Sequence, residues 1–197
     1  MASKLNRLSA VNIILSNIGM APVTQVDNDN PMVAMASNLI DEVSRSVQTE
    51  GWVFNTERGY PFVPNADNEI VVPENVLELD SDDRQKDNLI IRMGKLYNKV
   101  THSYEFTETE ELDVLWLFDF DYLPEAFKNY IAIRAANLFA GRAVGSAEQV
   151  KFGEREEATA RAAMLDYETS QGDYNMLANT DLRNYNYYRP NMGVVRY

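Results

Sequence analysis

The sequence predicts an α+β protein that is mainly α: a bundle of about four helices with an inserted small, irregular β layer and an extended C-terminal arm. Apolar residues recur at helical spacing over residues 1–50 and 124–171. Short extended runs interrupted by prolines fill residues 51–123, and residues 172–197 follow neither period. We expect these ranges to form the helical bundle, the β-rich insertion and a docking arm.

Two helices are expected before residue 51. Apolar residues at helical spacing predict the first over residues 8–18, with Gly19 ending it. Asn30 and Pro31 have the form of an N-cap and a first helical residue. The second helix then carries an apolar stripe and is closed by Gly51; the stripe consists of Val33, Ala36, Ile40, Val43 and Val47.

The β layer is predicted from short apolar runs at residues 52–54, 70–72, 76–79, 89–93 and 96–100. The segment Met93-Gly94-Lys95-Leu96 has the form of a tight hairpin turn. Pro61, Pro64 and Pro73 are expected on strand edges or in loops, because proline lacks the N–H that a central strand needs.

A second helical pair is expected after the β layer. Pro124 begins the third helix, which ends near Gly141 and has an apolar face of Phe127, Ile131, Ala135 and Leu138. Ser146-Ala-Glu-Gln149 has the form of a capping box and opens the fourth helix. We expect the narrow apolar strip of that helix to be Ala158, Ala162 and Leu165.

Composition and charge exclude several classes of function. The chain of 197 residues has no cysteine, which rules out disulfides and thiolate metal sites. Its formal net charge is −12. The arm contains three Arg and two Asp, so the preceding residues carry −13. A body of that charge repels a nucleic-acid backbone. No stretch approaches the ~20 apolar residues of a membrane span, and none is expected.

The arm is rich in the residue types that dominate protein interfaces. Residues 172–197 hold five tyrosines and three arginines, whose large flat side chains carry polar groups. Flexible linkers are instead rich in Gly, Ser, Pro and charge, which favours a docking arm over a frayed terminus. The candidate contact residues are Tyr174, Met176, Leu177, Tyr185, Tyr187, Tyr188, Arg189 and Tyr197.

The sequence offers little for catalysis or metal binding. His102 is the one histidine, and neither a second zinc ligand nor a nucleophile motif accompanies it, so a structural role is expected and no cofactor is predicted. The loop from Gly141 to Ser146 lacks the spacing and the lysine of a phosphate-binding loop. It is interpreted as a turn between two helices.

Paired carboxylates are the strongest enzymatic candidates. Asp119 and Asp121 are two residues apart and would share one face of a strand, near Trp116 and Phe118, which could hold a sugar. Residues 105–125 contain eight acidic residues and no base, however, and this crowding is more typical of a solvated face. A glycan hydrolase that uses Asp119 and Asp121 therefore stays an alternative.

Several segments occur together in an order that is typical of one protein family. They are Leu8-Ser-Ala-Val-Asn12, Ile18-Gly19, Pro22-Val23, Gly51-Trp-Val-Phe-Asn55 with Glu57 and Gly59, Tyr122-Leu-Pro-Glu125, Tyr130-Ile131, Tyr167-Glu168 and Gly172-Asp-Tyr-Asn-Met-Leu177. The chain thereby resembles the tail tubular protein A family, the head-to-tail adaptors of short-tailed, podovirus-type phages.

The resemblance implies a structural protein of the virion's short tail, made in the host cytoplasm and without enzymatic activity. Twelve copies would form a ring around a DNA channel through which the genome passes during ejection. The helical end and the arm would contact the portal protein, and the β layer would contact the tail nozzle (tubular B) protein. DNA would pass without specific binding, because the acidic body repels it. An acidic cytoplasmic scaffold unrelated to phage is a third alternative.

Overall fold

The computed structural model describes residues 4–27, 29–80, 88–143 and 147–171. Within these ranges the fold is α+β and mainly α, with four α-helices, as predicted. The helices are α1 (Arg7–Asn17), α2 (Pro31–Gln48), α3 (Glu125–Ala143) and α4 (Ala147–Gln171). The strands are β1 (Thr56–Phe62), β2 (Val76–Asp80), β3 (Leu89–Arg92), β4 (Lys95–Asn98) and β5 (Glu110–Trp116), and a 3-10 helix spans Phe120–Tyr122. The division into separate domains stays a prediction.

The first helix ends just before Gly19 and the second begins after Asn30, as predicted. Asn6 caps α1 by accepting a hydrogen bond from the N–H of Ser9, and Gly19 follows the helix with a φ of +76°. Asn30 caps α2 by accepting from the N–H of Met32, with Pro31 as the first helical residue. The predicted apolar stripe of α2 is buried throughout.

Helix α3 lies at the centre of the bundle and packs against α1, α2 and α4. Phe127, Ile131 and Ala135 are buried on it as predicted. Leu138 is 37% exposed, and Phe139 is buried instead. The prediction was wrong at this position because α3 meets neighbours on several sides, so the buried residues do not form the single stripe that a helical period identifies.

The predicted contact strip of α4 was wrong. Ala158, Ala162 and Leu165 are exposed, while Ala160 and Met164 face the bundle. Alanines are distributed around this helix, so the sequence gives little contrast between its two faces. Gly153 allows the close approach to α3, since a Cβ atom there would lie 2.0 Å from Oδ1 of Asn137.

The β layer consists of a three-stranded antiparallel sheet in the order β1-β5-β2 and the hairpin β3-β4. The runs at residues 76–79, 89–93 and 96–100 correspond to β2, β3 and β4. Pro61 lies in the edge strand β1, and Pro64 and Pro73 lie outside the strands, as expected. Residues 52–54 form no strand, and within residues 70–72 Val71 makes an isolated bridge to Lys95.

The β layer has a hydrophobic core of its own. Phe62, Ile70, Val72, Leu96, Phe106, Leu112 and Val114 form this cluster. Strands β1 and β5 were not predicted, because charged residues interrupt both and β1 has an irregular register between Glu57 and Tyr60. No helix of the described residues has the length and apolar character needed to cross a membrane.

Candidate assembly site

A buried polar junction joins the end of α2 to the segment after β5. The side chain of Gln48 donates a hydrogen bond to the carbonyl of Phe118 at 2.9 Å and accepts one from its N–H at 2.8 Å. Ser44 lies one turn earlier and accepts from the Gln48 amide at 3.0 Å. Because the side chain of Gln48 is fully buried, water cannot replace these bonds. The junction therefore holds the β layer against the bundle.

Asn55 extends the junction to β5. Its side-chain amide donates to the carbonyls of Gln48 and Trp116, and its backbone carbonyl accepts from the N–H of Trp116 at 2.8 Å. The Asn55 side-chain oxygen accepts from the N–H of Trp52 at 2.9 Å. One buried asparagine thus contacts α2, the following turn and β5.

Aromatic packing continues the same junction into the bundle. The Trp52 ring lies 5.1 Å from that of Phe127 in an edge-to-face arrangement, and its indole N–H donates to the carbonyl of Val47. Glu168 on α4 accepts from the N–H of Val53 at 2.6 Å. Residues 52–54 therefore form a turn that packs between α2, α3 and α4, which explains why their apolar run is not a strand.

Arginine bridges connect helices at the surface of the bundle. Arg142 on α3 makes a two-pronged contact with Glu42 on α2, at 2.9 and 2.8 Å, and this hydrogen bonding lowers the pKa of Glu42 and raises that of Arg142. Arg161 on α4 contacts Glu50 in the same way, and the hydrogen bond to Glu50 raises the pKa of Arg161. These contacts fix the relative positions of the helices.

The structure places Asp119 and Asp121 in a turn rather than on a strand. Strand β5 ends at Trp116, and Asp119 directly precedes the 3-10 helix that contains Asp121. The expectation of a shared strand face was wrong, because the buried aromatic Phe120 turns the chain into the bundle at this point. Both carboxylates are exposed, and the side chain of Asp121 is used in a contact within the chain.

The side chain of Asp121 contacts the start of α1. Asp121 accepts a hydrogen bond from the N–H of Arg7 at 2.8 Å, and Glu125 accepts from the N–H of Leu5 at 2.8 Å. The Lys128 ammonium donates to the Leu5 carbonyl at 3.0 Å. Hydrogen bonding to Asp41 and the charges of Asp121 and Asp119 raise the pKa of Arg7. Asp121 thus satisfies one of the N–H groups that a helix leaves free at its start, and Glu125 satisfies the N–H of a residue just before the N-cap.

Of the remaining sequence candidates, His102 lies beside a tyrosine. His102 is exposed, has a φ of +53° and lies 3.5 Å from the hydroxyl of Tyr97 through Nδ1. The described part of the chain holds no group of three potential metal-binding side chains. The predicted turn from Gly141 to Ser146 was wrong for its first three residues, because α3 continues to Ala143, and residues 144–146 lie outside the described residues.

The arm lies outside the described residues, and its predicted contact residues with it: Tyr174, Met176, Leu177, Tyr185, Tyr187, Tyr188, Arg189 and Tyr197. The structure brings together Gln48, Trp52 and Asn55 in the junction, a contact that the sequence did not predict. A signal for it exists, because Ser44 and Gln48 are polar residues that continue the buried face of α2. Buried polar side chains need partners, and these two indicate a contact with another segment.

Two comparisons with known proteins show what this chain is similar to. The family model described as tail tubular protein matches residues 8–174. Tail tubular protein A of Klebsiella phage KP34 is 28% identical over 129 residues, which cover 65% of this chain and 68% of that protein. The family match includes the helices, the β layer and the junction, and it ends at the beginning of the arm.

Proposed function

The chain belongs to the tail tubular protein family, and we propose that it acts within the phage tail as the head-to-tail adaptor. Twelve copies form a ring that connects the portal protein to the tail nozzle (tubular B) protein. The observation that carries this proposal is the family match over residues 8–174, which contains both the bundle and the β layer. The buried junction supports it, because an adaptor between two rings needs two ends held at a fixed distance.

The two ends of the protein would have different partners. The helical end and the arm contact the portal, and the β layer contacts the nozzle protein. An extended chain spans about 3.3 Å per residue, so the arm could reach about 85 Å along a neighbouring subunit. Helix α4 ends at Gln171, and the arm therefore starts directly from the bundle.

The arm's role depends on its own residues rather than on the family match. All but one of its candidate contact residues, from Met176 to Tyr197, follow the matched range. Its tyrosines and arginines are suited to a protein interface, since each buries a large area and keeps a polar group available for hydrogen bonding.

The acidic body would assist genome passage. Residues 1–171 carry a formal charge of −13, and a ring of such subunits presents a repulsive surface to DNA. DNA then moves through the channel without specific binding, because tight binding needs Lys and Arg at the phosphates. Lysine substitutions at channel-facing acidic positions should slow ejection, whereas unchanged ejection would indicate that the charge serves solubility.

We propose no catalytic step. Asp121 is occupied by the N–H of Arg7, and Asp119 and Asp121 both contribute to the electrostatic environment of that arginine. The purified protein should therefore release no reducing sugar from host surface polysaccharide. Release that disappears in Asp119→Asn and Asp121→Asn variants would support the glycan hydrolase instead.

Removal of residues 184–197 tests the docking role of the arm. The truncated chain should keep its helical circular dichroism and its melting temperature, because the bundle and the β layer each bury a hydrophobic core built from residues before the arm. It should fail to co-sediment with the portal protein under conditions where the full chain does. Co-sedimentation at unchanged affinity would contradict the proposal, and loss of the helical signal would show that the arm stabilises its own subunit.

A further inference from the structure

A groove lies where the bundle meets the β layer, and we name it the junction groove. Its volume is about 490 Å³, and its lining consists of Phe54, Asn55, Thr56, Glu57, Asn75, Trp116 and Phe118. The three aromatic residues among them are half-buried. A groove that combines aromatic rings with a few polar groups is suited to a segment that brings apolar side chains of its own.

Neighbouring side chains hold the aromatic rings of the junction groove in place. The indole N–H of Trp116 donates to Oε2 of Glu57 at 3.2 Å, and the Tyr60 ring lies 5.3 Å from the Trp116 ring in an edge-to-face arrangement. The Phe54 ring lies 4.7 Å from that of Phe127 in α3. Rings fixed in this way lose little conformational entropy when another segment packs on them.

Helix α4 ends beside the junction groove. Near its end, the Tyr167 ring lies 6.2 Å from that of Phe127. The next residue, Glu168, accepts a hydrogen bond from the N–H of Val53 at 2.6 Å, and Val53 directly precedes Phe54 in the lining of the groove. The helix ends three residues after Glu168, which is about 4.5 Å along its axis. The arm therefore starts close to the groove.

The carboxylate of Glu168 gives a second indication that the arm lies here. Its Oε1 accepts from Val53, whereas its Oε2 is buried and has no hydrogen-bond donor in the described part of the chain. A buried carboxylate oxygen without a donor costs free energy. The residues outside that part which are nearest in sequence are the ones that directly follow α4. We therefore expect the donor to come from the start of the arm.

The start of the arm has side chains that match the groove. Residues 172–177 have the sequence Gly172-Asp-Tyr-Asn-Met-Leu177, and we name them the arm root. Tyr174 and Met176 are two positions apart, so both lie on one side of an extended chain. Tyrosine rings and methionine sulfur both make favourable contacts with aromatic rings. Six extended residues span about 20 Å, which is sufficient to enter a groove that begins beside α4.

We propose that the arm root lies in the junction groove of its own subunit, with Tyr174 and Met176 against the rings of Trp116 and Phe118. A backbone N–H of the arm root donates to Oε2 of Glu168. The groove of the same subunit is favoured over that of another copy, because a segment tethered next to its site has a high effective concentration there.

The inference divides the arm into two parts with different partners. Tyr174, Met176 and Leu177 contact their own subunit rather than the portal, and residues 184–197 keep the proposed docking role. An arm that is fixed at its start has fewer positions available to its distal part, which reduces the entropy lost on docking. The inference does not depend on the adaptor function, since the groove and the arm root belong to one chain.

Quenching of tryptophan fluorescence by acrylamide tests the inference on the isolated protein. The chain has two tryptophans, and Trp52 is only 7% exposed, so a change in quenching reports mainly on Trp116. The double substitution Tyr174→Ser and Met176→Ser should raise the quenching constant about twofold, because the Trp116 ring loses its cover. Circular dichroism verifies that the variant keeps its helices.

The matched control is the double substitution Tyr185→Ser and Tyr187→Ser in the distal part of the arm. It should leave the quenching constant at the value of the parent chain. A constant that stays at the parent value in the Tyr174 and Met176 variant as well would overturn the inference. So would an equal rise in both double variants.

Cross-linking shows where the arm root lies and in which copy. Because the chain has no cysteine, Asn75→Cys in the lining of the groove can be labelled selectively with a photoactivatable cross-linker. In a mixture of isotopically heavy and light copies, position 75 should cross-link to residues 172–177 of the same copy. Asn38→Cys, at an exposed position of α2, carries the same label as a control and should not reach them.

Two results of the cross-linking would contradict the inference. Heavy-to-light cross-links from position 75 to residues 172–177 would place the arm root in another copy, and no cross-link to these residues would place it outside the groove. Both measurements are made without the portal or the nozzle protein. Their failure therefore leaves the adaptor function untouched, whereas loss of portal binding bears on that function alone.

Discussion

The side chain of Gln48 forms hydrogen bonds with both backbone polar groups of Phe118. The two residues are 70 positions apart, and the bonds measure 2.9 and 2.8 Å. Gln48 ends α2, whereas Phe118 follows β5, so this one side chain joins the bundle to the β layer. The pairing imitates the contact between two strands, with a glutamine amide in place of a backbone peptide.

Gln48→Leu should lower the free energy of unfolding by about 2–4 kcal/mol, because two backbone groups lose their partners in a buried site. Ser46→Ala on the exposed face of the same helix is the control and should change it by less than about 0.5 kcal/mol. Urea unfolding followed by circular dichroism measures both. Equal stability of the Leu variant and the control would show that water replaces the glutamine.

The sequence predicted the elements whose signals are local. The N-cap Asn30 defines its helix through a hydrogen bond within one turn, and the Met93-Gly94 turn lies between two residues that pair. The long apolar stripe of α2 could be predicted because the apolar and polar side chains of this helix lie on opposite faces. For these elements the residues nearby in sequence are also the residues in contact.

The sequence failed where the decisive partner is distant. Strand β5 carries several acidic residues and pairs with β1, about fifty residues away, so neither strand has the alternating pattern of an isolated hairpin. The apolar run that includes Trp52 was mistaken for a strand, but Trp52 packs on Phe127 of α3. The junction was missed for the same reason, since Gln48 and its partner Phe118 are 70 positions apart in the sequence.

Asp121 should contribute to stability, whereas Asp119 should not. Asp121→Ala removes the acceptor for the Arg7 N–H in the first turn of α1 and should cost about 1 kcal/mol, as the loss of a helix cap does. Asp119→Ala should stay within about 0.5 kcal/mol of the parent. Thermal unfolding at neutral pH compares the two. A larger effect at Asp119 would contradict the assigned role of this turn.

Gly153 permits the close contact of α3 with α4. Gly153→Ala should lower the free energy of unfolding by about 1–2 kcal/mol. The Cβ of the alanine would displace the Asn137 side chain, which donates a hydrogen bond to Glu157 at 3.0 Å. In an Asn137→Ala background the same substitution should stabilise by about 1 kcal/mol, since alanine is the better helix former. The sign of the effect should therefore reverse between the two backgrounds, and a constant sign would contradict the close contact.

The Glu42–Arg142 bridge should make stability depend on pH. The folded-state pKa of Glu42 lies below its ordinary value of 4.5 because Arg142 donates hydrogen bonds to it. The stability that ionised Glu42 contributes is therefore fully present above pH 4.5 and is lost as the pH falls through the folded-state pKa of Glu42. The melting temperature of the parent should exceed that of Glu42→Gln at pH 7, and the difference should shrink on acidification. A difference that does not change with pH would exclude this bridge as its cause.

Electron microscopy of the protein mixed with its portal protein tests the adaptor function most directly. We predict a closed ring of twelve copies seated on the portal, coaxial with its channel, with the β layers directed away from it and an open path along the axis. Monomers that remain separate from the portal, or a ring whose axis is blocked, would contradict the account.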